Sequence, residues 1–162
     1  MNNNELEQIV ARVVKQQLYP ADVNEMSLAL AKRIAKRVEE KAKEMGVKPV
    51  VAISNTGARP VLIECTDDSY IASYDVALNK AYTVVALKMP TKTLKTLAQP
   101  GGSLYGIQFT NQGQIVIFGG GVPLIYNGKI IGGLGVSGGS EEQDTALADF
   151  GASVLEEEIR CL

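Results

Sequence analysis

Between residues 4 and 18, Leu6, Ile9, Val10, Val13, Val14 and Leu18 recur at i, i+3, i+4, i+7, i+8 and i+12, so they form one apolar stripe on a helix. Glu5 and Glu7 in the first turn and Lys15 near the end suit the helix dipole, and Pro20 interrupts the pattern. A helix of this length is marginal alone in water, so its stripe calls for a partner surface. A second helix is predicted over 27–45. Ser27 caps it, Leu28, Leu30, Ala31, Ile34, Ala35, Val38 and Ala42 form its buried side, and Gly46 stops it. Its solvated side is basic, with Lys32, Arg33, Lys36, Arg37, Lys41 and Lys43 interleaved with Glu39, Glu40 and Glu44.

Residues 50–54 and 61–65 read as two strands of a hairpin across Asn55-Thr-Gly-Ala58. Helical spacing returns over 70–87, Pro90 ends it, and 91–98 forms one more short helix. Beyond this the pattern is strand-like at 104–110, 114–118, 124–126 and 129–136, with Asn127-Gly128 as a tight hairpin turn. Ser140 and Gln143 make a capping box that opens a last helix through Leu147, Val154 and Leu155. The order predicts an α+β domain built on an antiparallel sheet. Residues 1–19 stand apart as an amphipathic helix, 20–26 as a linker and 27–162 as the domain.

Composition narrows the chemistry. The 162 residues include no histidine, which excludes Ser-His and Cys-His catalytic pairs, His-ligated zinc and histidine-ligated haem. Sixteen basic and 18 acidic residues give a net charge of −2, so no nucleic-acid partner is expected. The charge is uneven. Residues 1–95 carry 14 basic and 11 acidic side chains and residues 96–162 carry 2 and 7, while 13 of 16 glycines lie between Gly101 and Gly139. No apolar run approaches the roughly 20 residues of a membrane span, and no secretory h-region is present. Cys65 and Cys161 have no metal-ligand spacing and read as reduced thiols.

Gly133-Leu-Gly-Val-Ser-Gly138 satisfies G-x-G-x-x-G between a strand and a helix. Too little chain follows to close a βαβ unit, and Glu141, Glu142 and Asp144 crowd the place a phosphate would take. Close packing of a central strand against a helix or another chain is the better reading. Gly119-Gly120-Gly121 suggests a bulge, a wide turn or an apolar shelf with bare backbone donors, flanked by Phe118 and Val122. Lys80 lies on the helix over 70–87, five residues after Asp75 and so outside a tight i, i+4 pair. Tyr70, Tyr74, Tyr82, Tyr105 and Tyr126 read as core or rim residues, and Cys65 as a small hydrophobe. Asp67-Asp68 and Glu141-Glu142 lack the spaced ligands of a calcium loop. No catalytic constellation emerges.

Three runs in order, Gln99-Pro-Gly-Gly-Ser-Leu-Tyr-Gly-Ile-Gln-Phe-Thr-Asn111, Ile117-Phe-Gly-Gly-Gly-Val-Pro-Leu124 and Ile131-Gly-Gly-Leu-Gly-Val-Ser-Gly-Gly-Ser-Glu-Glu-Gln-Asp144, resemble the GlcG/HbpS/PduO-C-terminal family of haem-binding domains. Asp75-Val-Ala-Leu-Asn-Lys-Ala81 matches the same family's helix, and the resemblance covers about 27–152. It implies a profilin-like domain, with a five-stranded antiparallel sheet flanked by helices, assembled as a homo-oligomer. It also implies binding of haem, or of a corrinoid, at surfaces between protomers. Where the family would place an axial histidine, this chain reads Asn24-Glu-Met-Ser-Leu28, and Met26 is the nearest substitute ligand. Tyrosine or cysteine ligation, or no haem, stay open. The shelf expected to hold the tetrapyrrole comprises Tyr105, Phe118, Gly119, Gly120 and Gly121, with Lys80 meeting a propionate.

The N-terminal helix is similar to the encapsulation peptides that bring cargo into bacterial microcompartments, its stripe docking on a shell protein or another cargo helix. An ordinary first helix that packs on its own domain, or that mediates oligomerisation, is the alternative. The leading expectation is a non-catalytic haem- or corrinoid-binding accessory protein in the lumen of a propanediol- or glycerol-type microcompartment of the bacterial cytoplasm, with no membrane partner. A cofactor-free assembly protein and a small-molecule enzyme of the same pathway are the alternatives.

Overall fold

Strand β4 (Lys129–Ser137) organises the fold. In the computed structural model, which describes residues 2–18 and 23–162, it pairs antiparallel with β1 (Val50–Ser54) on one side and β3 (Gly121–Tyr126) on the other. Strand β2 (Pro60–Cys65) pairs with β1, so the sheet order is β2-β1-β4-β3. The β3–β4 turn uses Asn127 and Gly128, both at positive φ (49° and 74°), the backbone that a two-residue I′ turn requires.

Helices cover both faces. On one lies α2 (Leu28–Glu44), capped by the Ser27 hydroxyl accepting from the Leu30 amide, together with α5 (Glu141–Ser153) and α6 (Leu155–Arg160). Leu30, Ile34 and Val38 of α2 meet Val51, Ile53, Leu134, Val136 and Leu147 in the main core. The opposite face carries α3 (Ser73–Ala86), whose Ala77 and Ala81 pack on Val50 and Ala52. Here the contact is backbone to backbone. A Cβ at Gly133 would come within 2.5 Å of the Ala81 carbonyl oxygen, and one at Gly135 would strike the Ala77 carbonyl and lie 2.7 Å from the Ala81 amide. The G-x-G-x-x-G run is therefore a strand that lets a helix lie directly on it, as the sequence suggested.

Helix α4 (Thr91–Leu97) follows α3, and the capping box of α5 is complete: the Ser140 hydroxyl accepts from the Gln143 amide and the Gln143 side chain accepts from the Ser140 amide. The domain has the α+β architecture expected, with one correction. Four strands are present among the described residues, where the pattern predicted six and the resemblance implied five; of the six, 104–110 and 114–118 form no ladder. They fold as short 3₁₀ turns at Ile107–Phe109 and Asn111–Gly113 followed by irregular chain. The backbone explains it: Gly106, Asn111, Gln112 and Gly113 all have positive φ, which breaks the pleat at each end of the apparent alternation.

Helix α1 (Asn3–Leu18) forms as the periodicity predicts. Leu6, Ile9, Val10 and Val13 stand 43–53% exposed, so nothing described buries this part of the stripe. The side chains of Val14 and Leu18, and the expected break at Pro20, lie outside the described residues.

Candidate functional site

Helix α3 points Lys80 into the interior, where its side chain has no solvent exposure. The ammonium donates to the Val136 carbonyl at 2.7 Å and to Asp144 Oδ2 at 3.0 Å, and sits 5.0 Å from the centre of the Phe118 ring. Burial pulls the Lys80 pKa below that of an ordinary lysine, and the carboxylates of Asp144 and Glu141 push the other way. Asp144, in the first turn of α5, spends its other oxygen on the amides of Gly138 (3.1 Å) and Gly139 (2.8 Å). One carboxylate therefore ties α3, the end of β4 and the start of α5 together. The acidic crowding that argued against a phosphate here has a structural purpose.

The triple glycine lies against this pair. A Cβ at Gly120, at φ +107°, would stand 2.5 Å from Lys80 Nζ. The Gly119 amide donates to Glu141 Oε1 at 2.8 Å and the Gly121 amide to Thr91 Oγ1 at 2.9 Å. Two of the donors expected of a shelf, the Gly119 and Gly121 amides, are thus already taken by α5 and α4, and all three glycines are buried. Lys80 is fully enclosed and spends two of its three N–H donors on Val136 and Asp144, so it does not reach a propionate at the surface. Phe118, 40% exposed, is the part of the cluster that reaches solvent, and Tyr105 stands exposed on the loop after α4.

Met26 is a second correction. It is only 4% exposed and belongs to the main core. The Glu25 carboxylate accepts from the Thr56 amide at 2.8 Å, which pins the entry to α2 against the β1–β2 turn and drives the next side chain inward. A Cβ at Gly132 would meet Met26, whereas one at Gly133 or Gly135 would meet α3. Successive strand residues face opposite ways, so Met26 and Lys80 lie on opposite faces of the sheet. They cannot share one planar ligand within a chain.

A concavity of about 490 Å³ opens elsewhere. Gly46, Lys48, Asp68, Tyr70, Gly138 and Gly139 line it, where the loop after α2 passes the start of α5. Tyr70 is exposed, and Lys48 Nζ holds Asp68 Oδ2 at 2.7 Å in an exposed pair. Sequence reasoning placed Tyr70 among rim residues and did not select it. Asp144 was overlooked as a partner for Lys80 because the two are 64 residues apart. The one signal for Asp144 was the pair of glycine amides just upstream, which need an acceptor.

With the donor set now placed, haem can be tested against it. Histidine is absent and Met26 is enclosed, so neither imidazole nor the expected thioether reaches a ligand. The accessible donors include the phenols of Tyr70, Tyr74 and Tyr105 and the thiols of Cys65 and Cys161. Phenolate and thiolate both serve haem iron, so the set fits a ferric, anionically ligated haem. No group of three or more acidic or thiol side chains that could hold a metal ion occurs among the described residues. No described helix is long and apolar enough to cross a membrane.

Comparison with known proteins agrees with this architecture. The chain is 49% identical over 124 residues to an uncharacterized 15.0 kDa protein of the dhaT-dhaS intergenic region in Citrobacter freundii, covering 76% of this chain and 87% of that one. It is 39% identical over 123 residues to the corrinoid adenosyltransferase PduO of Salmonella typhimurium, covering 76% of this chain but only 37% of that enzyme. Among solved structures, Klebsiella pneumoniae protein ORFY superposes with a TM-score of 0.80 at 42% identity, covering 85% of this chain and 94% of that one. A PduOC:heme complex superposes at 0.77 and 36% identity, covering 80% and 94%. The model of the haem degrading, HbpS-like proteins matches residues 26–153, and the chain belongs to that HbpS-like family.

Proposed function

We propose that the chain is a tetrapyrrole-binding accessory protein, with haem as the ligand and a corrinoid as the alternative, that assembles as a homo-oligomer. One observation carries this reading: a structure 36% identical to it, covering four-fifths of this chain, is a haem complex. The accessible phenols and thiols supply anionic ligands that suit ferric iron. When bound, the haem would supply redox and ligand-binding chemistry, while the protein contributes the anionic donor and the walls of the site. The reading includes a non-catalytic role for the chain, and breakdown of hemin by the purified protein would overturn that part of it. Absorbance titration of the purified chain with hemin tests this, and a Soret maximum that does not move would overturn the haem reading.

The same proposal assigns α1 to delivery into the lumen of a propanediol- or glycerol-type microcompartment. Support comes from the exposed Leu6, Ile9, Val10 and Val13, an apolar face on a helix too short to be stable unaided. Residues 1–19 fused to a fluorescent protein should then co-localise with shells, and Leu6→Glu with Val13→Glu should release the fusion. A diffuse signal from the unmutated fusion would leave α1 as an oligomerisation helix. That exposed stripe also favours a second reading, a cofactor-free assembly protein; it would be colourless yet still recruited.

A further inference from the structure

We propose that the outward face of α3 is the surface through which two copies of this chain pair, helix against helix and antiparallel, about a two-fold axis beside Leu78. This inference rests on the homo-oligomer reading above and gives that reading a surface and a geometry.

Helix α3 is apolar on both sides. Its small residues Ala77 and Ala81 lie on the sheet, while Tyr74, Leu78 and Tyr82, spaced four residues apart, share the opposite side with Asp75 and Asn79. Tyr74 is 44% exposed, Leu78 and Tyr82 are partly exposed, and Ile71, just before the helix, is 96% exposed. Asp75 is the one charge that α3 exposes, since Lys80 is buried. Across the sheet, α2 turns Lys32, Lys36, Glu40 and Lys43 to solvent, the usual pattern of a helix that faces water. A helix that is apolar all round is a covered one, and nothing described within one chain covers this face. Depletion of charge with enrichment of aromatic residues also marks the core of an interface. The Asn111 amide donates to the Tyr82 hydroxyl at 3.1 Å and the Val116 amide to Thr83 Oγ1 at 3.0 Å, so residues 111–116 run along the C-terminal half of α3. Phe109, two residues before that stretch and 82% exposed, extends the apolar border.

The charges select the occupant and its direction. Asp67 and Asp68 precede α3, Asp75 lies in its first turn, and Lys88 directly follows its end. Among the described residues Asp67, Asp75 and Lys88 form no ion pair within the chain. An antiparallel second copy sets each acidic end toward the other's lysine and opposes the helix dipoles, whereas a parallel copy sets like against like. A two-fold axis beside Leu78 makes the surface its own complement, with Leu78 on Leu78 and Tyr74 of one copy on Tyr82 of the other.

Light scattering of the full chain tests the surface. Wild type should give twice the mass of one chain, or an even multiple of it. Leu78→Asp should halve that mass, with association weakened at least about tenfold. Lys36→Asp, on the outward side of α2, should leave it unchanged. A short bismaleimide spans the 8–10 Å between packed helix axes. In a background of Cys65→Ser and Cys161→Ser it should join Leu78→Cys to itself, and Tyr74→Cys to Tyr82→Cys in a mixed sample but not to itself. This second measurement decides the matter if Leu78→Asp fails to fold. An unchanged mass in Leu78→Asp, no cross-link at Leu78→Cys, or Tyr74→Cys joined to itself would overturn the surface and leave the homo-oligomer reading standing. Leu78→Cys joined to Val10→Cys in a mixed sample would do the same, naming α1 of the second copy as the cover. A monomeric wild type would overturn both.

Discussion

Two carboxylates meet where α2 crosses β2, and their repulsion gives a measurable dependence of stability on pH. Glu39 of α2 lies within hydrogen-bonding reach of Glu64 of β2, and partial burial with this contact raises the Glu39 pKa from 4.5 to about 7. No lysine or arginine forms an ion pair with either group among the described residues, although Lys36 and Lys43 lie about one turn along α2. Because the folded value lies above the unfolded one, the stability from proton sharing is fully present below pH 4.5. It is lost as the pH rises from 4.5 through about 7. At about 1.4 kcal/mol per unit the shift sets a ceiling near ~3 kcal/mol. Solvent access to both half-buried side chains cuts that to roughly 1–2 kcal/mol. Glu39→Gln keeps the shape and the hydrogen bond but removes one charge. Urea unfolding from pH 4.5 to 8 should therefore show wild type losing roughly 1–2 kcal/mol and the variant a flatter profile. At pH 8 the variant should melt about 2–8 °C higher. A variant with the wild-type slope, or one less stable at pH 8, would refute the shared-proton account.

Three further outcomes follow from the packing. Gly135→Ala places a methyl group against the Ala77 carbonyl and the Ala81 amide, so α3 must lift off the sheet; a loss of more than about 3 kcal/mol, or insoluble protein, is expected in thermal melts. Asp144→Ala strands a buried ammonium and two glycine amides and should cost about 3–5 kcal/mol. Lys80→Met combined with Asp144→Asn removes the charge while keeping an acceptor, and should recover much of that loss in the same chemical unfolding assay. Glu158 is buried and held by Arg33 at 2.8 Å and by Arg37, so Glu158→Ala should loosen α6 and be read as faster amide exchange there.

Local signals were the legible ones. The Ser27 cap, the capping box at Ser140 and Gln143, and the Asn127-Gly128 turn each depend on a few neighbouring residues, and all appear where the sequence puts them. Gly133 and Gly135 were readable because a glycine-rich strand has few uses besides close approach. The segment 104–118 misled because its alternation mimics a strand, while the left-handed backbone at Asn111 and Gln112 has no sequence signal as strong as glycine. Lys80 was misjudged for another reason. Its partner comes from α5, and an acidic residue in a helix's first turn already has a sufficient local explanation in the dipole. Met26 went astray because ligand chemistry can be read from a side chain alone, whereas enclosure by Gly132 and α2 cannot.

The ion pair between α3 and α5 also bears on the order of events during synthesis. Lys80 leaves the ribosome 64 residues ahead of Asp144, the carboxylate it bonds in the folded domain. Over the same interval β1 lacks its inner neighbour, because β4 spans residues 129–137. Until both arrive, α3 carries an ammonium that water solvates better than any half-built core, and the face around it stays open. Closure of the domain is thereby deferred to the last segments made. A nascent chain stalled before residue 129 should behave as an unfolded client for chaperones, and one extended past α5 as a finished domain.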